Sequence, residues 1–190
     1  LRRERSSIMS NLLVQNIKHT NNTTALTVSS SGEVTQDQMT FATFGWTGNQ
    51  TVSSSAVMTW WTNLDGDANI TFQKGIGTQP TVSSGVFTFP STGMYEMHLC
   101  VGWYGTNDAY VGAGIDIDPN GDFSGGASQW DYTQIENYGA TGYASLSFMA
   151  HANVTSTDFR ARCRYDHSAS SSIRDKYYTR LCIKKIAAGQ

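Results

Sequence analysis

Apolar and polar positions alternate with a period of two along residues 85–103. Phe87 and Phe89 fall on one face and Val86 and Thr88 on the other; beyond them Tyr95, Met97, Leu99, Val101 and Trp103 share a face opposite Glu96 and His98. Successive side chains of an extended backbone point to opposite sides, so this period marks half-buried strands. Between the two runs stand Pro90, Ser91, Thr92 and Gly93. Proline has no N–H to give a ladder and glycine takes positive φ freely, so these four residues suit a reversal of the chain. Residues 159–165 alternate as strictly, with Arg160, Arg162 and Arg164 facing away from Phe159, Ala161, Cys163 and Tyr165. Further strands are expected over 57–61, 70–72, 109–117, 143–152 and 177–186, with loops at 75–80 and 118–126. No segment carries a three-to-four-residue apolar period with caps, so helix should be scarce. The fold class is all-β, an antiparallel sandwich.

The first part of the chain has a different texture. Residues 1–8 are basic and polar, with Arg2, Arg3 and Arg5, and a more ordinary opening at Met9 lies just behind them. This implies an unusual start codon or cleavage from a longer precursor. Two short apolar strips follow, one with Leu12, Leu13, Val14 and Ile17 and one with Leu26 and Val28, separated by Asn21 and Asn22 and closed by Ser31 and Gly32. A two-stranded unit of this size is marginal alone in water, so it should pair with copies of itself or with a partner surface. The organisation expected is an extended N-terminal docking arm with short strands over 1–34, a connector over 35–50 and a head domain over 51–190.

Composition narrows the function classes. With 190 residues, 39% apolar and 12% aromatic, the chain can fill one sandwich core. Only 15% of residues are charged and the net charge is −2, which argues against nucleic acid and against an anionic membrane surface. No apolar stretch reaches the roughly 18 residues of a membrane span, and no signal-peptide core opens the chain. Cys100, Cys163 and Cys182 stand alone within apolar or alternating runs, an odd set that reads as buried free thiols made in a reducing cytoplasm, although one pair has the option of bridging. The Asn-x-Thr strings at Asn22, Asn49, Asn69 and Asn153 are then accidents of a Thr-rich chain; in a secreted eukaryotic protein they would be sugar sites.

The string Gly85, Phe87, Pro90, Gly93, Tyr95 resembles the signature of the jelly-roll family that contains the globular head of complement and the tumour necrosis factors. The likeness runs over residues 72–186 and implies a jelly roll that assembles as a homotrimer. The chain departs from the family after Leu146, Ser147 and Phe148, where Ala150, His151, Ala152 and Asn153 replace the Gly-Asp-x-Val turn. Residues 9–34 resemble the N-terminal attachment segment of tailed-phage structural proteins, which precedes a trimeric head.

Several residue groups are candidates for chemistry. Asp116, Asp118, Asn120 and Asp122 place oxygens at alternate positions with Gly121 at the sixth, as at the start of a calcium loop; the twelfth position is Ala127, without the bidentate glutamate, and Pro119, Asn120 and Gly121 equally make a plain β-turn. Beyond calcium no cofactor is implied. Arg160, Arg162 and Arg164 on one strand and Arg180 and Lys184 on another would form a basic stripe if the strands were neighbours, either meeting acidic groups of a partner subunit or a polyanionic glycan, or simply facing solvent, with Asp158, Asp166 and Asp175 at hand to neutralise it. His19, His98, His151 and His167 are dispersed, and no motif assembles an acid, a base and a nucleophile, so no enzyme activity is expected. Trp60, Trp61, Trp103, Tyr104, Trp130, Tyr177 and Tyr178 exceed what one thin core needs, which points to interfaces.

These features together read as a non-enzymatic virion structural protein of a tailed bacteriophage, made in the host cytoplasm. It would be a capsid decoration, head fibre or tail fibre protein that docks on capsid or tail proteins through Arg2, Arg3, Arg5, Leu12, Leu13, Val14, Ile17, Leu26 and Val28, and presents a trimeric head to a host glycan or receptor. The alternative is a secreted complement-head-like module that binds glycan or protein. A glycan-depolymerising enzyme would need paired carboxylates across a groove.

Overall fold

Why these residues pair as they do follows from where each strand finds its apolar face. The computed structural model describes residues 16–18, 24–28, 34–35, 39–52, 56–65, 67, 75–105, 110–124, 129–136, 142–168 and 171–188. The chain divides into two compact units, Leu1–Gln38 and Met39–Gln190.

In the first unit, β1 (Asn16–Lys18), β2 (Thr24–Val28) and β3 (Val34–Thr35) form a three-stranded antiparallel sheet in that order. Ile17 lies opposite Leu26, a bulge follows, and Val28 lies opposite Val34. Leu12, Leu13 and Val14, like Arg2, Arg3 and Arg5, fall outside the described residues.

The second unit is all-β among its described residues. Its strands are β4 (Phe41–Trp46), β5 (Gln50–Val52), β6 (Ala56–Val57), β7 (Trp61–Asn63), β8 (Thr81–Ser83), β9 (Val86–Thr88), β10 (Gly93–Gly105), β11 (Tyr110–Asp118), β12 (Gln129–Glu136), β13 (Gly142–Val154), β14 (Arg160–His167), β15 (Ser171–Ile173) and β16 (Arg180–Ala188). β10 is the spine of one sheet: β13 pairs with its whole length on one side, while β16 and then β15 pair on the other. β4 and β7 extend the sheet beyond β16, and β5 flanks β15. The second sheet runs β12–β11–β14–β9–β8, with β6 on the β9 side of β14. All named pairings are antiparallel, and the chain crosses between sheets after β5, β6, β7, β9, β10, β12, β13 and β14, the connectivity of a jelly roll.

The alternation read from the sequence is the alternation of burial. Tyr95, Met97, Leu99, Val101 and Trp103 of β10 are sealed in the core, and so are Ala161, Cys163 and Tyr165 of β14. Phe44 meets Phe87 edge-on at 5.0 Å and Trp103 meets Tyr165 at 6.2 Å, which stitches one sheet to the other. Ser84 and Gly85, at φ 49° and 81°, make the two-residue turn joining β8 to β9, where a Cβ on Gly85 would lie 2.4 Å from the Met58 carbonyl oxygen. Gly93, at φ 150°, bears out the expectation of positive φ at the corner.

Several expectations are corrected. The segment expected to connect at 35–50 contributes β4, whose Ala42, Phe44 and Trp46 lie in the core, so the head begins at Met39 rather than at 51. The single strand expected over 57–61 is two strands: β6 joins β14 and β7 joins β4, because the chain passes from one sheet to the other at Met58. β12 was not foreseen, and the strand expected at 70–72 lies outside the described residues. Trp61 and Trp103, counted above as interface residues, are core.

Candidate recognition face

The face of the β10 sheet turned away from the core carries the side chains that β10, β13 and β16 leave over after filling it. Register arranges them in rows. Glu96 sits between His151 and Lys184, His98 between Met149 and Cys182, and Cys100 between Ser147 and Arg180. Tyr104 closes the series between Tyr143 and Ser172. The face therefore grades from charged at the Glu96 end to aromatic at the Tyr104 end. Charge is largely matched at the first end, where His151 approaches Glu96 at 3.8 Å. In the middle His98 Nε2 and Ser147 Oγ are hydrogen-bonded at 2.7 Å, and Cys100 Sγ lies 3.5 Å from the same hydroxyl. Cys100, Cys163 and Cys182 are all free thiols. Burial pushes up the pKa of Cys163 in the core and, more gently, that of Cys182.

The aromatic end is built by the turn between β15 and β16. Asp175 organises it: the Tyr178 and Thr179 N–H groups donate to its carbonyl, the Tyr177 N–H to its carboxylate, and its own N–H donates to Asn49 Oδ1. Arg174 N–H donates to the Gly102 carbonyl at 2.9 Å, and Gly102 N–H donates to Thr179 Oγ1 at 3.1 Å, which lashes the turn to β10. Gly102 permits this closeness, since a Cβ there would lie 2.6 Å from Tyr178 Cβ. Tyr104 and Tyr143 stack tilted at 5.0 Å. The Arg174 guanidinium carbon lies 3.3 Å from the ring centroid of Tyr178 and 4.7 Å from that of Tyr143. A cavity of about 260 Å³ opens there, lined by Gly102, Tyr143, Ala144, Ser145, Arg174 and Tyr178.

The candidate calcium ligands are engaged otherwise. Asp116, 2% exposed, takes Arg162 Nε at 2.8 Å and Nη2 at 2.7 Å on Oδ2. Both oxygens of Asp118 accept backbone N–H groups, from Asn120 and Phe123. Asp122 accepts from Ser124 N–H at 2.8 Å, a bond that lowers its pKa. Asn120 is exposed. These residues thus tie a turn, and among the described residues no group of three or more His, Cys, Asp or Glu is gathered to hold a metal ion.

The basic stripe is corrected. β14 and β16 belong to different sheets, so Arg160, Arg162 and Arg164 face away from Arg180 and Lys184. Arg160 donates to the Thr157 and Phe159 carbonyls and Arg180 to the Lys176 carbonyl, which commits them to local turns. Arg162, over the Phe123 ring at 3.9 Å, is the counter-ion of Asp116. Among the docking residues, Ile17 lies on β1 and Leu26 and Val28 on β2. Sequence reasoning missed Arg174 and Tyr143; the surplus of tyrosines that includes Tyr104 and Tyr178 was the signal for this region.

No protein-family model matches the chain, and no curated protein matches it. Solved structures do. Eiger TNF from S. frugiperda superposes with a TM-score of 0.60 at 15% identity, over 80% of this chain and 96% of that one. Murine APRIL at pH 8.0 superposes with a TM-score of 0.54 at 9% identity, over 77% of this chain and 99% of that one. Nothing in these comparisons bears on the phage resemblance of residues 9–34, which stays an expectation of the sequence. At such identities the likeness is one of fold: the chain has the tumour-necrosis-factor-like jelly roll that the residues from Gly85 to Tyr95 implied.

Proposed function

We propose that this chain is a non-enzymatic recognition protein whose head works as a closed homotrimer, self-associating through the part of the outward face of the β10 sheet that centres on Met149. The observation that carries this is the make-up of that face. Met149 is 53% exposed and Ile186 is also exposed, and around Met149 stand small or weakly polar groups, Cys100, Ser147 and Cys182, while Tyr104, Tyr143 and Ser145 lie at the end of the face beyond this patch. Exposed apolar side chains on a flat sheet, with few charges at the centre, are the composition of an interface core. A cyclic assembly of identical chains covers such a face without leaving a copy open. Met149→Glu places a charge at the centre of the face and should convert the assembly to monomers with unchanged β-sheet circular dichroism. An unchanged mass would overturn the choice of face.

The finer reading places the assembly on the surface of a tailed phage, with the unit Leu1–Gln38 as the docking element on capsid or tail proteins and the head presented for particle stabilisation or host contact. Its support is the sequence resemblance of residues 9–34. Deleting 1–38 should abolish incorporation into particles; a truncated head that incorporates at normal copy number would contradict it. The second reading, a secreted recognition module, has its own observation in the fold likeness to Eiger TNF and APRIL. It predicts glycosylation at Asn153, which stands exposed on β13.

A further inference from the structure

Arg174 differs from Arg160, Arg162 and Arg180 of the head. Arg160, Arg162 and Arg180 each donate to an oxygen of the chain. The Arg174 guanidinium instead lies against the rings of Tyr178 and Tyr143, at 3.3 and 4.7 Å, and meets no carboxylate, carbonyl or hydroxyl among the described residues. Stacking uses the faces of a guanidinium and leaves its five N–H donors, which lie in the plane of the group, free to engage a planar anion in a fork. Arg174 also lines the cavity of about 260 Å³, so those donors have room for an acceptor that comes from outside the chain.

We propose that this cleft binds the carboxylate of an acidic sugar, a uronic or sialic acid residue. The proposal rests on the reading of the head as a recognition protein and names its ligand class. Charge selects a monoanion: Lys176, the nearby cation of the same turn, is already paired with Asp67, so a single guanidinium faces the cavity and a polyanion would find one contact only. Size selects one ring, because the cavity falls just below the roughly 300–1,000 Å³ of sites for drug-sized ligands. The walls select a sugar. Tyr143 offers an exposed ring, with Tyr104 tilted against it at 5.0 Å, for the C–H face of a pyranose. The exposed Ser145 stands at the rim with a hydroxyl for the sugar's own hydroxyls. The neighbours Gly102 and Ala144 are small and keep the cleft open.

The test titrates the full chain with N-acetylneuraminic acid, glucuronic acid, neutral glucose and sodium acetate, read by calorimetry and by saturation-transfer NMR. At least one acidic sugar should bind tenfold or more tightly than glucose, and acetate at equal concentration should fail to displace it. Arg174→Gln should lose that preference tenfold or more with melting temperature and solution mass unchanged, and Arg174→Lys, which keeps the charge but not the fork, should lose it too. Equal binding of glucose and glucuronic acid, full displacement by acetate, or an Arg174→Gln chain that binds as before would each overturn the proposal. A change of solution mass in Arg174→Gln would overturn it in favour of a second copy as the acceptor. If no sugar binds while the chain is trimeric, this ligand is wrong and the self-associating head stands.

Discussion

Removing the Arg162 side chain while keeping the Asp116 carboxylate is the sharpest perturbation of the six-stranded sheet. The two residues face each other across β11 and β14, and the Asp116 side chain is only 3% exposed beneath Arg162 and Phe123. One carboxylate oxygen takes both Arg162 contacts, at 2.8 and 2.7 Å, and the other finds no donor among the described residues. Arg162→Met therefore leaves a buried negative charge with nothing to stabilise it. Breaking a buried pair this way costs about 3–5 kcal/mol. The guanidinium is 21% exposed, so some screening survives and the lower end, about 3 kcal/mol, is expected. A typical domain holds only about 5–15 kcal/mol, so this loss is large. Replacing both residues, as in Asp116→Val with Arg162→Met, removes the charge along with its partner and should cost much less than the sum of the single changes. Urea unfolding followed by tryptophan fluorescence, at fixed chain concentration, gives all four corners of the cycle. If Arg162→Met costs under about 1 kcal/mol, or the two single effects simply add, the pair is not the buried unit described here.

Other outcomes follow from the same geometry. Lys185 is 7% exposed, its Nζ donates to Ser91 Oγ at 2.9 Å, and burial lowers its pKa below the ordinary 10.5. Between that lowered value and about 10.5 the unfolded chain binds more protons than the folded one, so this residue makes stability rise with pH across the window. Cys163, whose pKa is raised, acts in the opposite sense above about 9, so the clean measurement is the urea stability of the natural chain minus that of Lys185→Met, which should increase as pH rises through the window; a constant difference would refute the assignment. Gly102→Ala should cost about 1–3 kcal/mol by pressing on Tyr178 Cβ, 2.6 Å from the added methyl, and should displace the turn that carries Arg174; a crystal structure with that turn unmoved would count against it. Millimolar calcium should leave the melting temperature where it was, since Asp116 is paired with Arg162, both oxygens of Asp118 accept backbone N–H groups and Asp122 accepts from Ser124 N–H.

The parts of this fold that are legible in the sequence are those fixed by neighbouring residues. β10, β14 and the corner at Gly93 follow from alternation and turn chemistry, which act locally. β4 carries the same alternation on a small scale, Ala42, Phe44 and Trp46 against Thr43 and Gly45, but six residues inside a polar stretch give a weak local signal, and only the sheet into which Ala42, Phe44 and Trp46 pack makes it a strand. Residues 57–61 look like one strand because nothing local reveals that the chain changes sheets at Met58. The supposed basic stripe fails for the same reason: whether Arg164 and Arg180 share a surface depends on pairing across the whole chain. The Arg174 cleft brings together Gly102, Tyr143 and Tyr178, far apart in sequence, and the alternation along each strand says nothing about which arginine lies against Tyr143 and Tyr178.

The central claim is that the head is a self-associating module, and the mass of the full chain in solution tests it most directly. Sedimentation equilibrium at micromolar concentration should return three times the 20.8 kDa chain mass, unchanged on moderate dilution. A stable, soluble species of 20.8 kDa, with the exposed face of the β10 sheet bare to water, would contradict it.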